Sequence, residues 1–320
     1  MESVIASHSQ RAILRHNLDD WPSSGLLVAV ITDTHRSRRA GPGVPCGAVS
    51  DVWNPCFDAG RPVFAPLSAA MEPFRRFAAF PPLEAWNEGL PAGLASAAGA
   101  PIRFVEQPPR RRRGRPVDVS AIYDERIYAR GEVPSRWRTW HDFFNHLVWR
   151  SFPALKRAIN HRQRIALQAH VAPGAPKLPS ARTREMDSLA MLDEGGLLLV
   201  TRAGAPDLEA AIDEGDAAAV GEAVRRGDAR ALLIGHAIHE HLVLRTDLVR
   251  TLVFRLEVPD CALPQVEIDA RIGALLDGGA PVRQRPDAKG MPIEDPLFGQ
   301  SLLASSVPVS SVPVSGGGSP

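Results

Sequence analysis

The stretch Arg138–Gln163, RTWHDFFNHLVWRSFPALKRAINHRQ, constrains the fold more than any other part of the chain. Thr139-Trp140-His141-Asp142 fits the helix-start pattern in which a Ser or Thr cap is followed three residues later by an acid. An acid at that position also meets the positive end of the helix dipole. Phe143, Phe144, Leu147 and Val148 supply an apolar face. His141 and Asn145 stand one helical turn apart on a shared face, which Trp149 and Phe152 continue. Pro153 restarts a helix in its first turn. Leu155, Ile159 and Ala166 then form a second apolar stripe, and Asn160 and His161 follow Pro153 by about two turns. Two helices joined at Pro153 are expected, with His146 facing solvent.

Around this pair, helical and strand patterns mix. Leu67, Met71, Phe74, Phe77 and Phe80 recur at helical spacing, which predicts an amphipathic helix ended by Pro81-Pro82. Leu83–Gly93 reads as a short helix and Ile102–Gln107 as a strand. Tyr123–Arg136 reads as a short helix or strand broken at Gly131, then an extended Val-Pro segment. Met186–Val200 alternates and passes through Asp193-Glu194-Gly195-Gly196, the signal of a β-hairpin. Two short helices are expected in Pro206–Asp228 and an apolar run entering a helix in Ala231–Leu244. A strand over Thr251–Val258 and a glycine-stopped helix over Glu267–Gly279 complete the pattern.

Regular strand–helix alternation is missing, so the expected class is α+β. The expectation is a single mixed domain of helices with a small, mainly antiparallel sheet over residues 48–300. Residues 1–47 read as an extension that is disordered or outside the core. Residues 301–320, with SSVPV twice and a glycine run, read as a disordered tail.

Bulk properties exclude several functions. The formal net charge is +1, so no global field favours nucleic acid or an anionic membrane. The basic loop Pro108–Pro116 reads as a solvated insertion. A phosphate-backbone patch lacks the interleaved aromatic residues it would use. Three cysteines at long spacings fit a reducing compartment better than a disulfide framework or zinc knuckle. Apolar runs fall short of the ~20 residues of a membrane helix, and the N-terminus has no signal-peptide pattern. A soluble cytoplasmic protein is expected.

Three polar groups are candidates for chemistry. The first is His141, Asn145, Asn160 and His161 on the helix pair, which would suit metal binding or acid–base work. Histidine beside tryptophan is also a common buried, singly hydrogen-bonded core residue, and Asp142 can be a simple cap. The second group is GHAIHEHLVL at Gly235–Leu244, where His236 and Glu240 share a helical face. Its order, His236-x-x-His239-Glu240, is neither H-E-x-x-H nor H-x-x-E-H, so a zinc-protease reading is rejected. The third is Arg184, Asp187, Asp193 and Glu194. Turn chemistry explains Asp193, so Asp187 is the stronger functional candidate. P-loop, Rossmann, nucleophile-elbow and EF-hand patterns are missing, and Cys261 reads as inert.

Three pieces carry a resemblance: RIYARGEVPSRWRTWHDFFNHLVWRSFPALKRAINHRQ, RTREMDSLAMLDEGGLLL and LLIGHAIHEHLV. In order and spacing they resemble a bacterial family catalogued as domain of unknown function 3025, over roughly residues 50–300. The resemblance places recurrent features on Val133-Pro134, Trp140-His141-Asp142, Phe144-Asn145, Phe152-Pro153, Lys156, Asn160, Asp187, Asp193-Glu194, Gly235-His236-Ala237 and Glu240. The C-terminal RQRPDAKGMPIEDPLF departs from the family's Pro-rich ending. The family name implies no activity.

Two functions are therefore expected as alternatives. One is a metal-assisted hydrolase of phosphodiesterase or nuclease type. In it His141, Asp187 and His236 hold a divalent metal ion or act as base, Asn145 and Asn160 orient substrate, and Glu240 joins the site. The other is a non-enzymatic scaffold or partner-binding protein whose His/Asn/Asp network is structural.

Overall fold

The computed structural model describes residues 52–298 apart from 109–119, 121, 172–181, 206–207, 245–248, 281, 283–289 and 294. The expectations for residues 1–47 and 301–320, and for the basic loop beyond Pro108, lie outside the described residues.

The helix pair forms as its sequence dictates. Helix α4 spans Trp140–Ser151, and the Thr139 hydroxyl accepts from Asp142 N at 3.4 Å. Helix α5, Pro153–His170, starts with proline as its first residue. Its free N–H groups are met from another element. The Asp269 carboxylate accepts from Ala154 N at 2.8 Å and Leu155 N at 2.9 Å. Asp269 belongs to α10, Gln265–Asp277, which packs along α5.

One face of α4 is paved with aromatic rings. Trp53 stacks on Trp140 with centroids 5.3 Å apart, and Phe57 meets Phe144 edge-on at 5.1 Å. The expected amphipathic helix over Leu67–Phe80 is instead broken into short pieces. 3-10 turns at Pro62–Leu67 and Glu72–Phe74 flank α1, Ser68–Met71. Pro66 and Pro73 lack the N–H that a continuous helix needs. Leu67, Met71 and Phe74 are nonetheless buried as the spacing requires. Helix α2, Leu83–Glu88, follows Pro82.

His146 is a correction. It is fully buried rather than solvent-facing, stacked on Trp86 at 5.1 Å, with Nε2 3.0 Å from the Trp86 carbonyl. Burial, with Arg150 nearby, lowers its pKa to about 3, so the ring is neutral. Helix α4 is buried around most of its circumference, so Asp142, Asn145 and His146 all go in with their apolar neighbours.

Strand β1, Arg103–Glu106, pairs in parallel with β2, Glu132–Ser135. Between them runs α3, Tyr123–Arg130. It ends at Gly131, whose φ of +67° is left-handed. A Cβ there would stand 2.0 Å from the Pro101 carbonyl oxygen, so only glycine fits.

The expected hairpin over Met186–Val200 is replaced by a helix running into a strand. Helix α6 spans Arg184–Gly195 and β3 spans Gly196–Arg202. The Thr183 hydroxyl caps α6 by accepting from Met186 N at 3.2 Å. Ser188, Leu189, Leu192 and Gly195 are buried at helical spacing, which overrides the alternation. After β3 come α7, Glu209–Glu214, and α8, Ala217–Arg225. Then follow β4, Ala229–Leu233; α9, His236–Leu244; β5, Arg250–Val258; and, after α10, β6, Met291–Pro292.

The main sheet has order β4-β3-β5-β6. β3 pairs antiparallel with β4 and parallel with β5, and β5 pairs antiparallel with β6 over two residues. The class is α+β, but the sheet is mixed rather than mainly antiparallel. β4 returns beside β3, whereas the chain reaches β5 only by crossing over through α9, so β5 runs with β3. Buried side chains from Trp53 to Leu297 form one contiguous core.

Candidate functional site

Helices α4, α9, α6 and α3 converge on one polar cavity of about 620 Å³. Its walls include Tyr123, Asp124, His141, Asn145, Asp193 and His236.

The position of His236 is set by backbone contact. Gly235 N donates to the Gly196 carbonyl at 2.8 Å, bringing the start of α9 onto the α6–β3 junction. A Cβ on Gly235 would lie 2.7 Å from Glu194 O and from Gly196 N. This approach puts His236 Nδ1 2.8 Å from the Asp193 carbonyl. A carbonyl only accepts, so Nδ1 carries the proton and Nε2 is bare in the neutral ring. Burial drives the His236 pKa down to about 4, against the raising effect of Asp193.

His141 faces it from α4. The two Nε2 atoms are 3.2 Å apart, and the rings meet edge-on with centroids 4.6 Å apart. Behind His141, Glu240 Oε2 lies 3.0 Å from Nδ1. Burial alone would lower the His141 pKa, but the Glu240 carboxylate outweighs it and the net shift is upward. When protonated, His141 can donate Nδ1–H to Glu240 and Nε2–H to His236.

Asp193 ends α6 beside this pair. Its carboxylate is bonded to the buried Lys156 ammonium of α5. Burial pushes its pKa up, but Lys156 and His236 bring it below the usual carboxylate range. Asp142 is held by Arg136, which donates through its backbone N at 2.6 Å, Nε at 2.9 Å and Nη2 at 3.1 Å. The Asp142 carboxylate thus anchors Arg136 rather than closing a capping box, since Thr139 N donates to the Arg136 carbonyl instead.

The two asparagines have a shared target. Asn145 Nδ2 donates to the Tyr123 hydroxyl at 3.1 Å, and Asn160 Nδ2 donates to the Asp124 carbonyl at 3.0 Å. Each holds one residue of the dipeptide that opens α3. Burial, then the Asp193 charge, raises the Asp124 carboxyl to about 6, despite Arg182 and Lys156. Burial also raises Glu194, on the cavity wall next to Asp193.

The structure therefore brings together His141, His236, Glu240 and Asn145, four of the expected residues. Asn160 acts one layer back, through Asp124. Asp187 does not join them: it is exposed in the first turn of α6 and lies outside the cavity wall. Asp193 takes the place expected for it, because a helix rather than a strand carries both residues. Tyr123, Asp124 and Lys156 are site residues that the three polar groups did not include. His161 stacks on Tyr128 at 5.9 Å and pairs with Asp277, away from the cavity.

Two nitrogens suit a metal. Two imidazoles on one tetrahedral zinc stand roughly 3.3 Å apart at ordinary bond lengths. Both Nδ1 atoms here are anchored, as in ligating histidines. A third protein ligand is not assembled: among the described residues no three His, Cys, Asp or Glu side chains group as a metal site.

Fold and site define an α+β protein whose helices present a paired-histidine centre to a polar cavity. The chain belongs to the family described as Protein of unknown function (DUF3025), whose sequence model matches residues 102–286. Neither the curated proteins nor the solved structures contain a significant match. The aromatic residues Trp53, Phe57 and Phe64 precede the matched region yet pack directly on α4 or its core.

Proposed function

We propose that the cavity is the active site of a hydrolase in which His141 is the general base. The observation that carries this reading is the Glu240–His141–His236 array. Glu240 fixes His141 through Nδ1 and raises its pKa, which makes the imidazole the stronger base of the pair. When His141 gives up its Nε2 proton, two bare Nε2 atoms face each other 3.2 Å apart. A water molecule donating to both satisfies them, and is held where His141 can take its proton. His236 is a holder rather than a base, because its Nδ1 proton is committed to the Asp193 carbonyl.

The described cavity wall has no Ser, Thr, Cys or Lys, which favours water as nucleophile over a hydroxyl or thiol side chain. The wall's guanidinium groups, Arg136 and Arg182, stand among the acidic side chains of Asp124, Asp142, Asp193 and Glu194, and Arg136 is already paired with Asp142, which leaves no excess of positive charge. This balance favours an uncharged substrate and weighs against a phosphodiester or nucleic acid.

The test is turnover of p-nitrophenyl butyrate and of bis(p-nitrophenyl) phosphate by the full chain. Butyrate cleavage is expected, falling about 100-fold or more in His141→Ala. Lack of butyrate turnover, or turnover unchanged in that variant, would return the network to a structural role in a scaffold or partner-binding protein.

A second reading is favoured by the Nε2 spacing alone: the same two nitrogens hold one divalent ion, which would lower the pKa of a bound water. Zinc or manganese titration by calorimetry separates the two. Stoichiometric binding that is lost in both His141→Ala and His236→Ala would favour the metal-assisted form.

A further inference from the structure

We propose that Tyr123 and Asp124 are the second half of the catalytic apparatus. Asp124 donates a proton to the leaving group, Tyr123 donates a hydrogen bond to the developing oxyanion, and Asn145 and Asn160 position them. The substrate class is an uncharged carboxylic ester or amide with a poor leaving group. This rests on the hydrolytic reading of the same cavity.

Two independent hydrogen bonds make the case. Asn145 on α4 and Asn160 on α5 are both buried, and each spends its amide on the dipeptide that opens α3. Buried asparagines on two helices gain nothing in packing that an apolar residue would not supply. What they fix is the placement of Tyr123 and Asp124, whose side chains line the cavity together with His141 and His236.

Tyr123 is 40% exposed overall. Its oxygen accepts from Asn145, so its own hydrogen is available to a ligand. Although the ring is partly exposed, enclosure of the hydroxyl end, together with the Asp193 charge, raises its pKa and keeps the phenol protonated. The Asn145 Oδ1 is buried without a hydrogen-bond partner among the described residues, so its amide is committed to Tyr123 through Nδ2 alone. Asp124 and Asp193 have environments that push their carboxyls apart. Asp193 stays ionised against Lys156, and Asp124 holds its proton to about pH 6.

The step balances. His141 Nε2 takes one water proton as the water oxygen bonds to the acyl carbon. The carbonyl electron pair moves to an oxyanion that accepts from Tyr123. The pair then reforms the carbonyl as the bond to the leaving group breaks, and the Asp124 proton goes to the departing oxygen or nitrogen. The proton on His141 restores Asp124 through solvent.

The experiment compares p-nitrophenyl butyrate with ethyl butyrate. They share an acyl group, but only the second needs its leaving group protonated. Asp124→Asn should keep p-nitrophenyl ester turnover within about threefold and lose about 100-fold on the ethyl ester. Asn160→Ala should show the same split more weakly, as a positioning residue. Tyr123→Phe should slow both esters, and thermal melts report whether each variant is folded. Equal loss on both esters in a folded Asp124→Asn, or no loss on either, overturns the assignment of Asp124. If ester turnover also survives unchanged in His141→Ala, the base reading fails; if only the leaving-group split is absent, that reading stands. If the wild-type chain cleaves neither ester, both fail.

Discussion

At the residue scale, the site depends on charges that are individually costly to bury. Lys156 is almost fully buried and its ammonium neutralises Asp193. Lys156→Met would leave an unpaired carboxylate beside His236. Breaking one partner of such a pair costs about 3–5 kcal/mol, whereas replacing both by neutral groups costs far less. Urea unfolding of Lys156→Met against the Lys156→Met/Asp193→Asn double variant checks this. Equal losses in the two would mean that the pair carries no coupling. Sequence reasoning found His141, His236, Glu240 and Asn145 because helical spacing alone puts each pair on one face. It misplaced Asp193 because Asp-Glu-Gly-Gly is good turn chemistry, and one-residue alternation looked like a strand. Asp124 had no local signal, since what makes it unusual is burial and a neighbour many residues away in sequence.

At the element scale, two junctions hold the helices over the cavity. One is the contact of Gly235 with Glu194 and Gly196. Gly235→Ala forces these backbones apart, and overpacking of this kind costs about 1–3 kcal/mol. It should also free His236 Nδ1 from the Asp193 carbonyl, visible as an altered His236 ring signal by NMR. A variant with wild-type stability and spectrum would contradict this account of the junction. The other is the Asp269 carboxylate at the start of α5. Asp269→Ala removes the acceptor for two helix N–H groups and should cost about 1–2 kcal/mol, measured by chemical denaturation. An unchanged denaturation midpoint would show that α5 does not depend on this cap. The α4–α5 pair, α7, α8, α9, α10 and β5 were legible because caps, prolines and glycines mark their ends. The α6–β3 segment was not, because a 12-residue helix and a buried strand share the same run of apolar residues. Strand order was equally hidden, since the β3–β5 pairing joins segments far apart in sequence.

At the scale of the whole molecule, buried titratable groups give stability a particular dependence on pH. Burial lowers the folded pKa values of His146 and His239 to about 3 and that of His236 to about 4. Their neutral forms stabilise the fold fully above pH ~6.5, and this is lost as pH falls towards the folded values. Asp124 and Asp269, raised to about 6 chiefly by burial, have the opposite sign: the folded state takes up protons there that the unfolded chain does not. The two aspartates offset only part of the loss from the three histidines between about pH 6 and 4. Below about pH 4 the unfolded chain also protonates Asp58 and Asp193, whose folded pKa values are lowered against burial by Arg75 and by Lys156. Urea midpoints should therefore fall gently from about pH 6 to 4 and more steeply towards pH 3. A midpoint that rises or stays level from pH 6 to 4 would contradict this balance. Among the described residues no helix is long and apolar enough to cross a membrane. The fold class was readable from mixed periodicities, but the convergence of α3, α4, α6 and α9 on one cavity is a property of the packed molecule.

The central claim is that Glu240 tunes His141 as the base that activates water. The most direct measurement is the pH–rate profile of p-nitrophenyl butyrate hydrolysis in wild-type protein and Glu240→Gln. The reactive form needs His141 unprotonated, so the rate should rise with pH through its pKa. Removing the carboxylate lowers that pKa, because the Glu240 charge favours the imidazolium. The acid limb should therefore move to lower pH in Glu240→Gln, with a reduced plateau rate. An acid limb that stays in place would contradict it.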